Sequence, residues 1–318
     1  MHYITRRALQ AVPTVLVVII LDFVLVRLAP GNPIAYILSN TEDAPPQLVQ
    51  FYIHLYGLDQ PIYVQLESYL WRLLHGDLGY SFTYNAPVDS VLMPRIAATL
   101  LLTMAALSIQ LLLGVGLGML AVRSSKLKGV ILNIFSIIAW SAPSFWVAMI
   151  LAIIFGIYFH LFPVTGMESV GVTGWASVPD ILWHLVLPAA SLALAGFGLY
   201  FRIMRAGFLE VLQQDYVTTA RAKGCNENRI LFKHVFKNAL LPLITVVGTN
   251  AGFLITGAAL IEVVFGWPGI GYQLDLAINA RDYAIIEAIF VVVALMVIVA
   301  NLLADILYTF VDPRVRFK

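Results

Sequence analysis

Few residues of this chain have the types and spacing that covalent chemistry requires. The six histidines never fall at a metal-ligand spacing such as i, i+4. The sequence contains no G-x-x-x-x-G-K-[ST] loop for the phosphates of ATP. No nucleophile and base, and no group of carboxylates, share an apolar stretch with supporting spacing. The pattern therefore argues against a catalytic site, against a metal site and against ATP hydrolysis by this chain through that route.

Polar residues that interrupt long apolar stretches are the remaining candidates for functional residues. Placing a polar side chain in hydrocarbon costs free energy, so each one is expected to have a structural or functional role. Pro143 breaks the backbone hydrogen-bond ladder, which is tolerated where freed groups face protein or water; the alternative is a packing kink. Asn301 and Asp305 share one helix face, where they line a path or, more simply, hold helices together. Glu262 either caps helices or meets the amino group of a substrate. The pathway candidates are Ser141, Pro143, Ser144, Asn250, Glu262, Asn301 and Asp305.

The longest polar run in the second half of the chain is Asp215–Pro242. Good helix formers favour a short helix over Tyr216–Lys223, and Gly224 supplies the left-handed residue that ends such a helix. Asn226 is a fair N-cap for a second helix. This helix would have a basic side of Arg229, Lys233 and Lys237 and an apolar side of Ile230, Leu231, Val235 and Phe236. Such a helix beside a membrane span most simply lies at the headgroup layer.

The composition indicates that these residues are held by membrane-spanning helices. The 318 residues are 60% hydrophobic and 12% charged, whereas soluble domains average roughly 25% charged residues. Net charge is +1, which gives no argument for nucleic acid, and the single cysteine, Cys225, excludes an intrachain disulfide. Gly114, Gly116 and Gly118 would allow close helix approach. Apolar runs of about 20 residues predict six spans: Ala8–Leu28, Ile96–Val122, Val130–Phe159, Ile181–Phe201, Leu240–Ile261 and Ala284–Val311.

The distribution of basic residues orients these spans. If both termini are cytoplasmic, fifteen of the 19 Lys and Arg lie inside and four outside, as the positive-inside rule requires. The predicted division is residues 1–28 for the N-terminus and first span, 29–95 for an extracytoplasmic segment, and 96–318 for a membrane core with a cytoplasmic loop at 202–239.

The extracytoplasmic segment contains one pattern of helical period. Leu66, Tyr69, Leu70, Leu73 and Leu74 recur at helical spacing, which predicts an amphipathic helix lying on the membrane. Asp22 and Arg27 are near enough to the outer end of the first span to be wet.

Strings along nearly the whole chain resemble one family. They are RLAPGNP, GLDQPIYVQ, GDLGYSF, PVTG, ARAKG, HVFKNALLP, EVVFGWPGIG, ARDYAII, NLLADILYTF and VDPRVR. Together they resemble the permease subunits of binding-protein-dependent ABC importers, in the dipeptide/oligopeptide branch, and ARAKG resembles the end of the loop that docks the ATPase.

The resemblance implies an all-α membrane protein with six transmembrane helices, in the type I ABC importer permease fold with an extra N-terminal helix. It implies four kinds of partner: a homologous second permease, two cytoplasmic ATPases that bind ATP and Mg, an external substrate-binding protein and membrane lipid. No cofactor is implied in this chain. The docking residues would be Tyr216, Thr219, Ala220, Arg221, Ala222, Lys223 and Gly224.

The implied function is ATP-driven import of di- and oligopeptides by alternating access across a prokaryotic cytoplasmic membrane. Short oligosaccharides, glutathione and nickel are alternative cargoes within the same importer type. A secondary transporter or channel without an ATPase is the alternative class, although no half-to-half similarity is evident.

Overall fold

The computed structural model describes residues 2–28, 50, 53–54, 57 and 59–311, and their side chains except those of 2–12, 251, 305 and 307–311. Two units are distinguished within the chain. Unit 1 comprises Met1–Thr99 and Pro268–Ile298, and unit 2 comprises Leu100–Trp267 and Val299–Lys318.

Nearly all regular structure in the described residues is helical. In chain order the α-helices are α1 (His2–Leu28), α2 (Ile62–Leu74), α3 (Val88–Arg123), α4 (Lys126–Ser141), α5 (Ser144–Leu151), α6 (Ser177–Leu212), α7 (Asp215–Ala222), α8 (Glu227–Arg229), α9 (Phe236–Ala239), α10 (Leu241–Phe265), α11 (Ile270–Ala280) and α12 (Tyr283–Val311). The other segments are two π-helical ones, Ala152–Tyr158 and Ile230–Val235, a 3-10 turn, Gly174–Ala176, and an antiparallel ladder of β1 (Tyr80–Ser81) with β2 (Ala86–Pro87).

The predicted amphipathic helix forms as α2, but its buried face meets protein. Tyr69 is buried with Phe23 and Ile19 of α1, and Leu66, Leu70 and Leu73 pack against the same cluster. The Tyr69 and Phe23 rings stack with centroids 5.7 Å apart. The apolar period of α2 therefore reflects packing against α1 in unit 1, while Leu74 at the end of the helix is exposed.

Small residues bring α3 and α6 together in unit 2, as the glycine pattern predicts. A Cβ on Gly114 would lie 2.6 Å from Cβ of Tyr200, and one on Gly118 would lie 3.2 Å from the carbonyl oxygen of Phe201. Gly116 has nothing within 4 Å, because it lies on another side of the helix. Two of the three glycines thus permit the close approach.

The predicted third span, Val130–Phe159, is not one continuous helix in the structure. It is divided into Lys126–Ser141 and Ser144–Tyr158, which are bent by 103°. The cause is local: Pro143 excludes the helical conformation from the residue before it, and Ala142 is extended, with φ −76° and ψ 132°. The proline thus ends one helix and starts another.

The long apolar helices agree with a membrane protein. Within the described ranges, three helical segments are long and apolar enough to cross a membrane: Val88–Arg123, Gly174–Leu212 and Tyr283–Ala304. Up to six spans result if each of three bent helix pairs counts as one. The predicted six is the upper end of this range.

Candidate docking surface and pathway

The short helix predicted from the polar run forms as α7 and ends as its glycine requires. Gly224 has φ +76°, a left-handed conformation that glycine adopts without steric cost. Its N–H donates to the carbonyl of Arg221 at 2.9 Å, and the N–H of Cys225 donates to that of Ala220 at 3.1 Å. This pair of bonds is a Schellman motif, so the end of α7 is fixed by backbone hydrogen bonds.

The second helix begins at the predicted cap but differs from prediction further along. Asn226 accepts a hydrogen bond from the N–H of Asn228 at 3.0 Å, as an N-cap does. A π-helical segment then replaces the expected α-helix over Ile230–Val235. A π turn changes the angular spacing of side chains, so the expected i, i+4, i+8 spacing does not apply, although all three basic residues remain exposed.

One apolar cluster seats both short helices on α6. Its described members include Val217 and Ala220 of α7, Ile230, Leu231 and Val235 of the π segment, and Met204 and Phe208 of α6. We call this the seating cluster. It corrects the expectation that the apolar side lies in the headgroup layer, because that side packs against protein within unit 2.

The exposed side of α7 carries most of the predicted docking residues. Thr219, Arg221, Ala222, Lys223 and Gly224 are exposed, and the Tyr216 hydroxyl accepts a hydrogen bond from Nδ2 of Asn238 at 2.8 Å. Ala220 is only 8% exposed, so it holds the helix on the seating cluster and leaves its neighbours to face outward.

An ion pair lies beside this exposed surface. Nε of Arg221 lies 2.7 Å from Oε1 of Glu227, and both side chains are about half exposed. The hydrogen bond raises the pKa of the Arg221 guanidinium and lowers that of the Glu227 carboxyl. The pair ties the end of α7 to the start of α8.

The predicted pathway residues lie in different environments of unit 2. Ser141, Pro143 and Ser144 all lie at the break between α4 and α5. Glu262 is fully buried in unit 2, which favours the structural role over contact with an arriving substrate. Asn301 is exposed on α12. The side chain of Asp305 lies outside the described residues.

Asn250 lines a cavity of about 160 Å³ in unit 2. The remaining lining residues come from α3, α4, α6 and α10: Gln110, Trp140, Leu192, Ala195, Gly196, Leu199, Tyr200, Phe253 and Leu254. Sequence reasoning missed Gln110, which is 1% exposed. The available signal was the one that identified Asn250, a lone carboxamide within an apolar stretch.

Unit 1 holds a different polar cluster, which corrects the expectation that Asp22 and Arg27 are wet. Arg27 pairs with Glu287 of α12, and its Nε donates to Oε1 of Gln65 at 3.1 Å. Asp22 is 5% exposed. Burial raises the pKa of the nearby Tyr69 hydroxyl above its ordinary value, so that group stays protonated.

The fold is shared with a solved transporter. A chain in the crystal structure of an amino acid ABC transporter with histidines matches 71% of this chain and 94% of its own length, with a TM-score of 0.52 and 16% sequence identity. At that identity the likeness establishes the fold alone. The shared fold and the long apolar helices define a mainly helical membrane protein.

Sequence comparisons give the family. Residues 110–317 match the model of the binding-protein-dependent transport system inner membrane component, and residues 1–103 match the N-terminal model of such components. The oligopeptide transport system permease protein AppB of Bacillus subtilis is 38% identical over 99% of both chains. The dipeptide transport system permease protein DppB of Escherichia coli is 34% identical, covering 100% of this chain and 99% of its own. The chain therefore belongs to the binding-protein-dependent transport system inner membrane component family, and it is a permease component rather than a catalytic subunit.

Proposed function

We propose that this chain is the permease subunit of an ATP-driven importer of di- and oligopeptides. The observation that carries the substrate class is full-length similarity, at 38% and 34% identity, to permeases named for oligopeptide and dipeptide transport. The chain would work with a homologous second permease, two cytoplasmic ATPases that bind ATP and Mg, and an external binding protein that delivers the peptide.

The proposed arrangement in the membrane has six spans and both termini in the cytoplasm. Residues 29–95 would then be extracytoplasmic and the loop 202–239 cytoplasmic. The support is the distribution of Lys and Arg described above, which puts the exposed side of α7 where an ATPase can reach it.

The proposed mechanism is alternating access driven through α7. Closure of the ATPase pair would move α7 as a rigid body. Val217 and Ala220 pack in one cluster with Met204 and Phe208 of α6, and tightly packed interiors transmit displacement. Displacement of α7 would therefore reach α6, which also borders the cavity that Asn250 lines.

The proposed residues divide by where their side chains lie. Arg221 and Lys223 would make charged contacts with the ATPase, while Ala222 and Gly224 permit close fit. Ser141, Pro143 and Ser144 lie at a helix break and Asn250 lines a cavity, which supports their assignment to the pathway. Asn301 and Glu262 would stabilise helix packing.

The test of the docking role is Gly224→Leu, with Gly76→Leu as a matched control. Both glycines have nearly the same φ, +76° and +77°, and neither would place a Cβ within 4 Å of another group. The backbone cost of the two substitutions is therefore similar, roughly 1–2 kcal/mol. In reconstituted transporter, Gly224→Leu should uncouple ATP hydrolysis from peptide uptake, whereas Gly76→Leu should leave the two coupled. Equal uptake by both variants would contradict docking at Gly224.

The test of orientation uses Cys225, the only cysteine of the chain and partly exposed. A membrane-impermeant maleimide should label it in inside-out vesicles and not in intact cells. Labelling in intact cells would place the loop 202–239 outside and overturn the proposed arrangement.

A further inference from the structure

The cavity beside Asn250 is smaller than most ligand pockets. Its volume is about 160 Å³, whereas ligand pockets measure roughly 300–1,000 Å³. Its described lining comes from four helices of unit 2 and includes two carboxamides, Gln110 and Asn250, and two aromatic rings, Trp140 and Tyr200. A site of this size holds only a short segment of a longer peptide at a time.

The two carboxamides are oriented by backbone carbonyls. Nε2 of Gln110 donates to the carbonyl of Leu192 at 2.9 Å, and Nδ2 of Asn250 donates to that of Val246 at 3.0 Å. A carboxamide has two N–H donors and a carbonyl oxygen with two lone pairs. Each side chain therefore keeps a donor and acceptor capacity beyond the bond that orients it.

The main chain is shaped to accommodate the Gln110 amide. A Cβ at Gly196 of α6 would overlap Nε2 and Cδ of Gln110, so only glycine leaves room for the amide at its present position. Gln110 is thus held by a hydrogen bond on one side and accommodated by a missing side chain on the other.

The described lining contains no Asp, Glu, Lys, Arg or His. A divalent transition metal would be bound most readily by imidazole or thiolate groups, and neither lines the described cavity. Charged termini lie at different distances in peptides of different length, whereas the backbone amide recurs in all of them. A carboxamide pairs with that amide at both its N–H and its C=O without burying a charge.

We infer that Gln110 and Asn250 form a contact site for the backbone amides of a peptide in transit. This inference rests on the proposed function and assigns the group that the pathway recognises. Trp140 and Tyr200 would contact the variable side chains, and the amide pair would contact the constant main chain.

The experiment compares ATP-dependent uptake of glycylglycine and of glycylsarcosine, whose N-methylated peptide bond lacks the N–H. The complete transporter with its binding protein is reconstituted in liposomes, and the variants are Gln110→Met and Asn250→Leu, which remove the amide at similar volume. The wild type should prefer glycylglycine. Each variant should lower glycylglycine uptake about three- to ten-fold, the range of one hydrogen bond, and bring the uptake ratio of the two peptides toward one.

The matched control is Asn279→Leu. Asn279 also donates from Nδ2 to the carbonyl four residues earlier, at 2.8 Å, but it does not line the cavity. Asn279→Leu should change neither the uptake of glycylglycine nor the ratio of glycylglycine uptake to glycylsarcosine uptake. If Gln110→Met does not fold, Asn250→Leu still decides the question, because Asn250 is less buried.

Different outcomes would contradict the proposed function and the contact site. A wild-type transporter without ATP-dependent uptake of either peptide would defeat the proposed function. Wild-type uptake with no preference for glycylglycine, or with a ratio that Asn250→Leu leaves unchanged, would overturn the contact site alone.

Discussion

The two units of this permease bury polar groups of opposite kinds. Unit 1 contains a charged cluster, in which Arg27 pairs with Glu287 and Asp22 is buried beside them in the same unit. Unit 2 contains the uncharged cavity lined by Gln110 and Asn250. Both groups sit in highly apolar surroundings, so the difference lies in charge.

The charged cluster of unit 1 is held from several sides. Arg27 bonds Gln65 of α2 and Glu287 of α12, and its Cζ lies 3.5 Å from the centre of the Phe23 ring. These contacts join α1, α2 and α12. Withdrawing the Arg27 cation would leave Glu287 buried without its partner, which costs several kcal/mol.

The hydrogen bonds of the carboxamides in unit 2 cost less free energy to break and to form again than the ion pair of unit 1. A neutral hydrogen bond contributes roughly 0.5–1.5 kcal/mol net, so a passing ligand can exchange with it. The comparison therefore teaches that a buried ion pair holds helices together in unit 1, whereas the proposed contact site of unit 2 uses neutral amides, with which a ligand can exchange.

The largest expected effect is from Arg27→Met, which leaves Glu287 buried without its cation. We expect a loss of about 3 kcal/mol in stability, the range for breaking a buried pair, measured by thermal unfolding in detergent. Adding Glu287→Leu should restore most of it, because apolar replacement of a whole buried pair is often neutral. Arg72→Met is the control, since Arg72 is exposed on α2. Equal losses of stability for Arg27→Met and Arg72→Met would show that the buried Arg27–Glu287 pair does not hold the helices together.

Local signals in the sequence were sufficient for features whose causes are local. The Gly224 end of α7 and the Asn226 cap follow from the conformations that single residues permit. Pro143 predicted a break in the helix, and its effect on Ala142 is local, but no local pattern gives the 103° angle of the bend. Arg27 and Glu287 are 260 residues apart, and no local pattern links them.

The candidate site shows the same division between local and distant causes. The helix α7 was predictable from its helix formers and the glycine that follows them, whereas the docking role of its residues is a prediction from the resemblance of ARAKG. The burial of Ala220 was not predictable, because it depends on where Ile230 and Leu231 pack. Gln110 lines the same cavity as residues of three other helices, and no local pattern shows that these helices meet.

A smaller effect is expected from alanine at two neighbouring glycines of α6. A Cβ at Gly198 would overlap the backbone carbonyl oxygen of Ser136 in α4, and overpacking of this kind costs roughly 1–3 kcal/mol. The three atoms nearest to a Cβ at Gly196 all belong to the amide end of the Gln110 side chain, which is able to move. Gly196→Ala should therefore cost less stability in thermal unfolding, yet it should lower glycylglycine uptake. Equal destabilisation would mean that the Gln110 amide is as fixed as the charges of unit 1.

The smallest loss of stability is expected from breaking the exposed ion pair Arg221–Glu227. Comparing it with the buried Arg27–Glu287 pair tests whether an ion pair must be buried for its disruption to cost much stability. Exposed pairs contribute little because water screens them, so Glu227→Gln should lower the melting temperature far less than Arg27→Met.

The pH dependence of that small effect has a definite sign. The pKa of Glu227 is lowered from 4.5 by Arg221, so the folded state binds its proton less readily than the unfolded state. The stabilisation is therefore present above pH 4.5 and is lost as the pH falls through the lower, folded-state value. Melting temperatures of wild type and Glu227→Gln should differ slightly near neutral pH and converge in acid. Arg221→Met should abolish the same difference, and a gap that persists in acid would show that Glu227 acts through something other than its charge.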